Sequence, residues 1–334
     1  MNAASGAPGS RILSVGEYRP ARVVTNDEIC QRIDSSDAWI RERTGIVTRR
    51  FAGDDETVVS MAAAASAKAL ADAGIEPEDV DLVIVATCSH PLQTPGASSE
   101  VQHLIGAVRA GAYDLNAACA GFCYGLAMAD AAIRSGAARY VVLAGSERMT
   151  DFIDPTDRGM AFLFGDGAGA VVVGPADRPG IGPVAWGSDG SQSRLIYQQP
   201  TYVEVQRALA AGSLVEPVAL RMVGPSVFRW AVTQMAPVAR RALDLAGVRP
   251  AELGAFIPHQ ANLRIVESLA KALDLPPSTV IARDIETQGN TSSASIPLAM
   301  AALIEQGQVQ SGQPALLIGF GAGLTYAAQV VEIP

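Results

Sequence analysis

Three side chains in this sequence are of types that can make and break an acyl bond: a cysteine, a histidine and an asparagine, each beside small residues. Cys119 lies in Asp114-Leu-Asn-Ala-Ala-Cys-Ala-Gly-Phe-Cys-Tyr-Gly125, where a strand gives way to a small, apolar helix running to about Arg134. A thiol at the start of such a helix faces free backbone N–H groups and the positive end of the helix dipole, which lowers its pKa and favours the nucleophilic thiolate. The competing reading is a buried structural cysteine, and it is the one adopted for Cys30, Cys88 and Cys123. His259 lies in Ile257-Pro-His-Gln-Ala-Asn-Leu-Arg-Ile265, and Asn290 in Gln288-Gly-Asn-Thr-Ser-Ser-Ala-Ser295. Alone, the first would be a hydrogen-bonded core histidine and the second a turn or N-cap asparagine. A metal pair at Cys119 and Cys123 is not expected, because no further Cys or His ligands follow at metal-site spacing.

An internal repeat brings the three together. Lys68-Ala-Leu-Ala-Asp-Ala-Gly-Ile-Glu-Pro-Glu-Asp-Val-Asp-Leu-Val-Ile84 matches Arg241-Ala-Leu-Asp-Leu-Ala-Gly-Val-Arg-Pro-Ala-Glu-Leu-Gly-Ala-Phe-Ile257, 173 positions later. Both copies read as a helix closed by Gly, a turn carrying Pro, and a strand. The offset puts His259 at the carboxyl end of the strand equivalent to Asp81–Thr87, and sets Cys119 opposite Ser292, two residues after Asn290. In open α/β sheets the strand carboxyl ends form the ligand crevice. The chain therefore divides into residues 1–175, carrying the cysteine, and 176–334, carrying the histidine and asparagine.

Strand and helix signals alternate throughout, and the strands 81–87, 140–144 and 315–319 are continuous apolar runs, as in sheets covered on both faces. With 334 residues, 49% hydrophobic and 18% charged, the chain is neither disordered nor fibrous. A net charge of −9 without a basic block argues against nucleic-acid binding. Four cysteines are too few for a disulfide framework, Met1–Ser10 has no leader-like apolar core, and no apolar run reaches the roughly 18 residues that cross a bilayer. A cytoplasmic protein that does not enter a membrane is expected. The glycine-rich stretches Phe164–Ala170 and Gly319–Gly323 are each followed by strand-like sequence, so neither is a dinucleotide fingerprint.

The motifs Ala-Ala-Cys-Ala-Gly-Phe around Cys119, Pro-His-Gln-Ala-Asn-Leu-Arg-Ile from Pro258, Gly-Asn-Thr-Ser at Asn290, Thr-Asp-Arg-Gly ending at Gly159 and Phe-Gly-Asp-Gly-Ala-Gly from Phe164 resemble β-ketoacyl-acyl carrier protein synthase III. This is a condensing enzyme of the thiolase superfamily. The resemblance spans residues 10–334 and implies a five-layered αβαβα fold of two duplicated halves and a homodimer. It makes Cys119 the acylated nucleophile and completes a catalytic set with His259 and Asn290. Backbone N–H groups at Cys119 and in the turn Phe320-Gly321-Ala322-Gly323 would hold the oxyanion. The implied reaction joins an acyl-CoA starter to malonyl-acyl carrier protein with loss of CO₂, using no metal and no other cofactor. Asn at 290 fits the priming, CoA-using type, since elongating synthases carry His there.

For CoA, the resemblance implies Trp39 and Arg158 flanking the adenine, Arg43 and Thr44 nearby, and Asn262 along the pantetheine arm. For the carrier protein it implies Gln260, Ala261, Asn262, Leu263 and Arg264, with Lys271 and Arg229 beside them. Thr94, in the loop Leu92–Gly96, would leave room for acyl chains longer or more branched than acetyl. Pro225 and Ala322 depart from the family pattern, and residues 189–220 match it poorly. The alternatives are a starter-unit or tailoring acyltransferase of the same fold, and a non-catalytic partner subunit, which usually lacks the nucleophile.

Overall fold

The computed structural model describes residues 6–334; Met1–Ser5, half of the polar start and the first residues of the 1–175 division, lie outside the described residues. The first half runs β1 (Gly9–Tyr18), β2 (Arg22–Thr25), α1 (Asn26–Cys30), α2 (Asp37–Thr44), β3 (Thr48–Phe51), α3 (Val58–Ala73) and β4 (Leu82–Ala86). It continues through α4 (Ala97–Leu104), β5 (Gly111–Leu115), α5 (Gly121–Arg134), β6 (Val141–Arg148) and β7 (Asp166–Ala176). The second half runs β8 (Ala185–Ser188), β9 (Ile196–Gln199), α6 (Tyr202–Ala210), β10 (Ala219–Met222), α7 (Gly224–Ala246) and β11 (Ala255–Pro258). It closes with α8 (Leu263–Ala272), β12 (Val280–Ile281), α9 (Ile285–Gln288), α10 (Ser295–Glu305), β13 (Pro314–Gly321) and β14 (Thr325–Glu332).

Two five-stranded sheets share one strand order, β5-β4-β6-β7-β1 and β12-β11-β13-β14-β8. In each, the first three strands pair in parallel, and the last two pairings, to the reversed fourth strand, are antiparallel. Helices α3 and α4 cover the outer face of the first sheet with Met61, Ala65, Leu70 and Val101. Helices α7 and α8 do the same for the second with Met235, Leu243, Ile265 and Leu269. Between the sheets, Phe122, Leu126 and Ile133 of α5 meet Ile296, Met300 and Leu303 of α10 in one core. This is the five-layered αβαβα arrangement. The small residues of α5 let it lie between two sheets: a Cβ on Gly125 would stand 2.4 Å from Leu143.

The repeat is visible in the caps. Helix α3 ends at Gly74 (φ 64°) and α7 at Gly247 (φ 67°), and each helix is followed by a proline-led turn, 77–79 and 250–252. Only glycine enters this left-handed region without steric cost, and it lets the cap N–H reach back to the last carbonyls. The turns before the two central helices, 118–120 and 292–294, are 174 apart rather than 173. One residue more in the second half therefore makes Ser292 the counterpart of Ala118, and Ser293 that of Cys119. Ala118 and Ser292 share the left-handed conformation, with φ 46° and 50°. Side chains seldom adopt it, so both elbows are held there by their surroundings.

Each elbow presses on a glycine of the opposite sheet. A Cβ on Gly319 of β13 would lie 2.9 Å from Cα of Ala120, and one on Gly145 of β6 would lie 3.1 Å from Cα of Ala294 and 2.5 Å from the Ser293 carbonyl oxygen. The obstructing atoms are backbone, so neither side can yield by a rotamer change. We expect Gly319→Ala to lower unfolding stability by about 1–3 kcal/mol; a urea or thermal midpoint equal to that of the unsubstituted protein would show that the elbows are not packed this tightly.

Candidate active site

Cys119 stands in the 118–120 turn, ahead of the first α-helical residue, Gly121. Its sulfur is 3.4 Å from Oγ of Ser292, so one elbow meets the other across the halves. It opens on a cavity of about 720 Å³ that is also lined by His259, Asn290, Ser292, Phe320 and Gly321. A Cβ on Gly321 would be 3.0 Å from the Cys119 sulfur, which places β13 backbone against the thiol. The helix-start reading requires a correction: the thiol is not poised as a thiolate. Burial pushes it up to about 12; the Ser292 hydrogen bond pulls the other way, and the Glu147 carboxylate adds to the rise. Withdrawal from water is the largest cause.

His259 follows β11 directly, and its backbone N–H donates to the Ile318 carbonyl, 2.7 Å away, as the strand pairing with β13 runs out. Nδ1 is 2.7 Å from Oγ of Ser295, and the ring packs edge-on against Phe320 at 5.4 Å between centroids. Burial drops its pKa to about 3, so the imidazole is neutral. The Asn290 backbone is pinned on both sides: its N–H donates to the Leu163 carbonyl (2.8 Å), and its carbonyl accepts from the Gly165 N–H (3.1 Å). Its Oδ1 accepts the Ser292 N–H at 2.8 Å, which orients the amide and leaves the NH₂ as the free donor. The Cys119 thiol thus shares its cavity with two neutral groups that can donate to an oxygen acquiring charge.

Behind Cys119 lies a polar knot. Glu147, at the end of β6 and fully buried, accepts from the backbone N–H groups of Cys88 and Ser89, each 3.1 Å away, and from the hydroxyl of Ser293 at 2.8 Å. The Cys88 sulfur, read above as structural, lies 3.4 Å from Glu147 Oε1 and 3.7 Å from Ser292 Oγ and lines the cavity. The repeat points to Ser292, whereas Glu147 and Ser295 escape a reading of motifs; the one signal for Glu147 is a carboxylate ending the apolar run of β6. No cluster of three or more His, Cys, Asp or Glu among the described residues is arranged to hold a metal.

The cavity mouth gathers several of the remaining candidates. Trp39 lines it and packs edge-on to Phe162 at 5.5 Å, and the cation over its ring is Arg43, at 5.9 Å. Arg158 is exposed on the turn leading to Gly159, which does line the cavity. Thr44 is buried at the end of α2, its hydroxyl donating to the Ile40 carbonyl at 2.7 Å. Asn262 caps α8, accepting from the Arg264 N–H and donating to the Arg43 carbonyl, and so ties α2 to α8. Arg264 lies over the Phe228 ring at 5.3 Å, and Arg264, Arg229 and Ala261 line the mouth. Lys271 is exposed farther along α8, while Leu263 is half-buried.

Three expectations change. Gln260 is buried; its amide donates to the Pro258 carbonyl and accepts from the Ile285 N–H, so it braces the loop and presents nothing to a partner protein. Thr94 is exposed and does not line the cavity of its own chain, whose apolar wall comes from Met149, Phe164, Ile196, Leu220 and Met222. Of the turn residues, Phe320, Gly321 and Ala322 line the cavity and Gly323 does not.

The chain matches the profile of the 3-oxoacyl-(acyl-carrier-protein) synthase III family over residues 113–190 and that of the family's C-terminal region over 243–333. It is 53% identical to a β-ketoacyl-acyl carrier protein synthase III of Streptomyces glaucescens, over 99% of this chain and 98% of the other. Identity is also 53% with the mycobacterial enzyme of that name in Mycobacterium bovis, covering 99% and 97%. Among solved structures, the priming β-ketosynthase of a polyketide biosynthetic pathway superposes with a TM-score of 0.96 at 48% identity, covering 100% of this chain and 98% of that one. A 3-oxoacyl-(acyl carrier protein) synthase III from Pseudomonas aeruginosa gives 0.88 at 38% identity, covering 98% of each.

A thiol held up at about 12 has a testable signature. Below its pKa the thiolate fraction, and with it the alkylation rate, rises about tenfold per pH unit. Alkylation of Cys119 by iodoacetamide, followed by peptide mass analysis, should therefore climb steadily from pH 6 to pH 9; a plateau near neutrality would mean the resting group is a thiolate.

Proposed function

This chain belongs to the 3-oxoacyl-(acyl-carrier-protein) synthase III family, and from that premise we propose that it makes a 3-oxoacyl thioester in two half-reactions at Cys119. In the first, the Cys119 sulfur attacks the carbonyl of an acyl-CoA, the proton leaves the thiol, and CoA departs as its own thiol. In the second, malonyl-acyl carrier protein loses CO₂; the resulting enolate carbon attacks the Cys119 thioester and expels the enzyme sulfur. The product is 3-oxoacyl-acyl carrier protein, the first condensation product of a fatty acid or polyketide chain.

The observation that carries this reading is the pair of neutral donors beside the thiol. An enolate oxygen needs hydrogen-bond donors and no strong base. A buried neutral imidazole and an amide whose oxygen is already engaged by the Ser292 N–H answer that need. Of the mouth residues, Trp39 and Arg43 offer a ring and a cation to a nucleotide, Asn262 and Ala261 flank the path inward, and Arg264, Arg229 and Lys271 offer positive charge to an acidic carrier protein. With a net charge of −9, docking has to rely on such local charge, within the ~8 Å over which charges act at physiological salt.

A homodimer goes with this reading. Among the described residues strand β5 pairs with β4 alone and its other edge is unpaired, and Leu104 and Val108 at the end of α4 and Tyr113 of β5 itself are exposed. A second copy seated edge to edge would pair the strand and cover those side chains. A CoA- and carrier-protein-using enzyme is placed in the cytoplasm on the same reading; among the described residues no helix is long and apolar enough to cross a membrane.

The two half-reactions should separate by residue. Cys119→Ala should take up no acyl group from acyl-CoA, whereas His259→Ala and Asn290→Ala should each acylate at Cys119 yet lose ~10²-fold or more in malonyl decarboxylation. Intact-mass analysis reads the first step and CO₂ release the second. An acylated Cys119→Ala protein, or equal loss of both steps in a folded His259→Ala protein, would overturn the assignment.

A further inference from the structure

Ser295 opens α10 and is buried, together with His259 and the backbone of Gln260. We propose that Ser295 fixes the tautomer of His259, a positioning residue that keeps the single ring proton on Nε2. Among the described residues the Ser295 hydroxyl oxygen has two partners: the Gln260 N–H, 3.3 Å away, and His259 Nδ1, 2.7 Å away. The Gln260 N–H can only donate. If Nδ1 also carried a proton, the hydroxyl oxygen would accept twice and its own proton would point into the core without an acceptor, a state that costs about 1–3 kcal/mol. One arrangement satisfies all three groups: Gln260 N–H to Ser295 Oγ, Ser295 O–H to Nδ1, and the ring proton on Nε2.

Two further observations agree. Burial keeps the ring neutral, with a pKa of about 3, so there is one proton to place. His259 lines the cavity and Ser295 does not, so Nδ1 is the edge turned away and Nε2 the edge presented to a substrate. With the proton on Nε2, His259 donates alongside the Asn290 amide to the oxygen that becomes an enolate. In the other tautomer a lone pair would face that oxygen and repel it. The catalytic consequence rests on the condensation reading above; the tautomer itself does not.

The chain has three histidines, so long-range proton–nitrogen NMR correlation on protein labelled in histidine is interpretable, with His259 assigned by its absence from His259→Asn. In the unsubstituted protein Nε2 should show the protonated, pyrrole-type shift and couple to both ring C–H protons, and Nδ1 the unprotonated shift. Ser295→Ala should move the proton toward Nδ1 and lower kcat for malonyl decarboxylation ~10²-fold with little change in the malonyl KM. Ser295→Thr, which keeps the hydroxyl, should restore both. A proton on Nδ1 in the unsubstituted protein overturns the proposal whether or not the variants fold, and so does a Ser295→Ala protein whose proton stays on Nε2. If Ser295→Ala shifts the proton but the unsubstituted protein decarboxylates no malonyl thioester, the tautomer lock stands and the condensation reading falls.

Discussion

The chemistry of this protein depends on two backbone contacts between its halves, Ala120 against Gly319 and Ala294 against Gly145. They are reciprocal: in each half the turn that starts the central helix rests on a strand glycine of the other half, and the two pairs are related by the same 174-residue offset. Because backbone meets backbone, the separation of the halves is set without soft side chains between them. The Cys119 thiol comes from one elbow and its neighbours from the other, so this contact fixes the distance from Cys119 to Ser292 and, through the Ser292 N–H, the orientation of the Asn290 amide. A duplicated fold has become an asymmetric site by changing what each elbow carries: a thiol on the first, hydroxyls on the second.

The polar groups around that contact are almost all neutral, and the exception, Glu147, serves the scaffold. Its carboxylate gathers N–H and O–H donors from the turn after β4 and from the elbow before α10. A charge so deeply buried is tolerable because its lone pairs are met by hydrogen bonds. Desolvation, with a smaller push from the Glu147 carboxylate, raises the Cys119 thiol. The site therefore rests uncharged at the sulfur and at His259, in a cavity with an apolar wall. Hydrogen bonds to a developing oxyanion are strong in such surroundings, since little water competes for them.

Much of the architecture was legible because it is written in local patterns. Continuous apolar runs marked the buried strands β4, β6 and β13, and paired Gly and Pro signals at 74, 77, 247 and 250 exposed the duplication, from which the convergence of Cys119, His259 and Asn290 on one crevice followed. What was not legible rests on contacts between distant residues. Glu147 reaches Ser293 across 146 positions, and Ser292 touches both Cys88 and Cys119 from the other half. Gln260 sits in a motif that looks like surface yet turns inward to brace Ile285. Cys119 was placed correctly at a strand-to-helix junction, but the sign of its pKa shift depends on how completely the fold removes it from water, which no local spacing records.

The central claim is that Cys119 carries the acyl group from one half-reaction to the next, and a single sequential mass measurement on the unsubstituted protein tests it most directly. Incubation with an acyl-CoA should add the mass of one acyl group per chain, mapped to the peptide containing Cys119. Subsequent addition of malonyl-acyl carrier protein should remove that mass and give an equal amount of 3-oxoacyl-acyl carrier protein. An acyl group found on another residue, or one on Cys119 that malonyl-acyl carrier protein cannot discharge, would contradict the account.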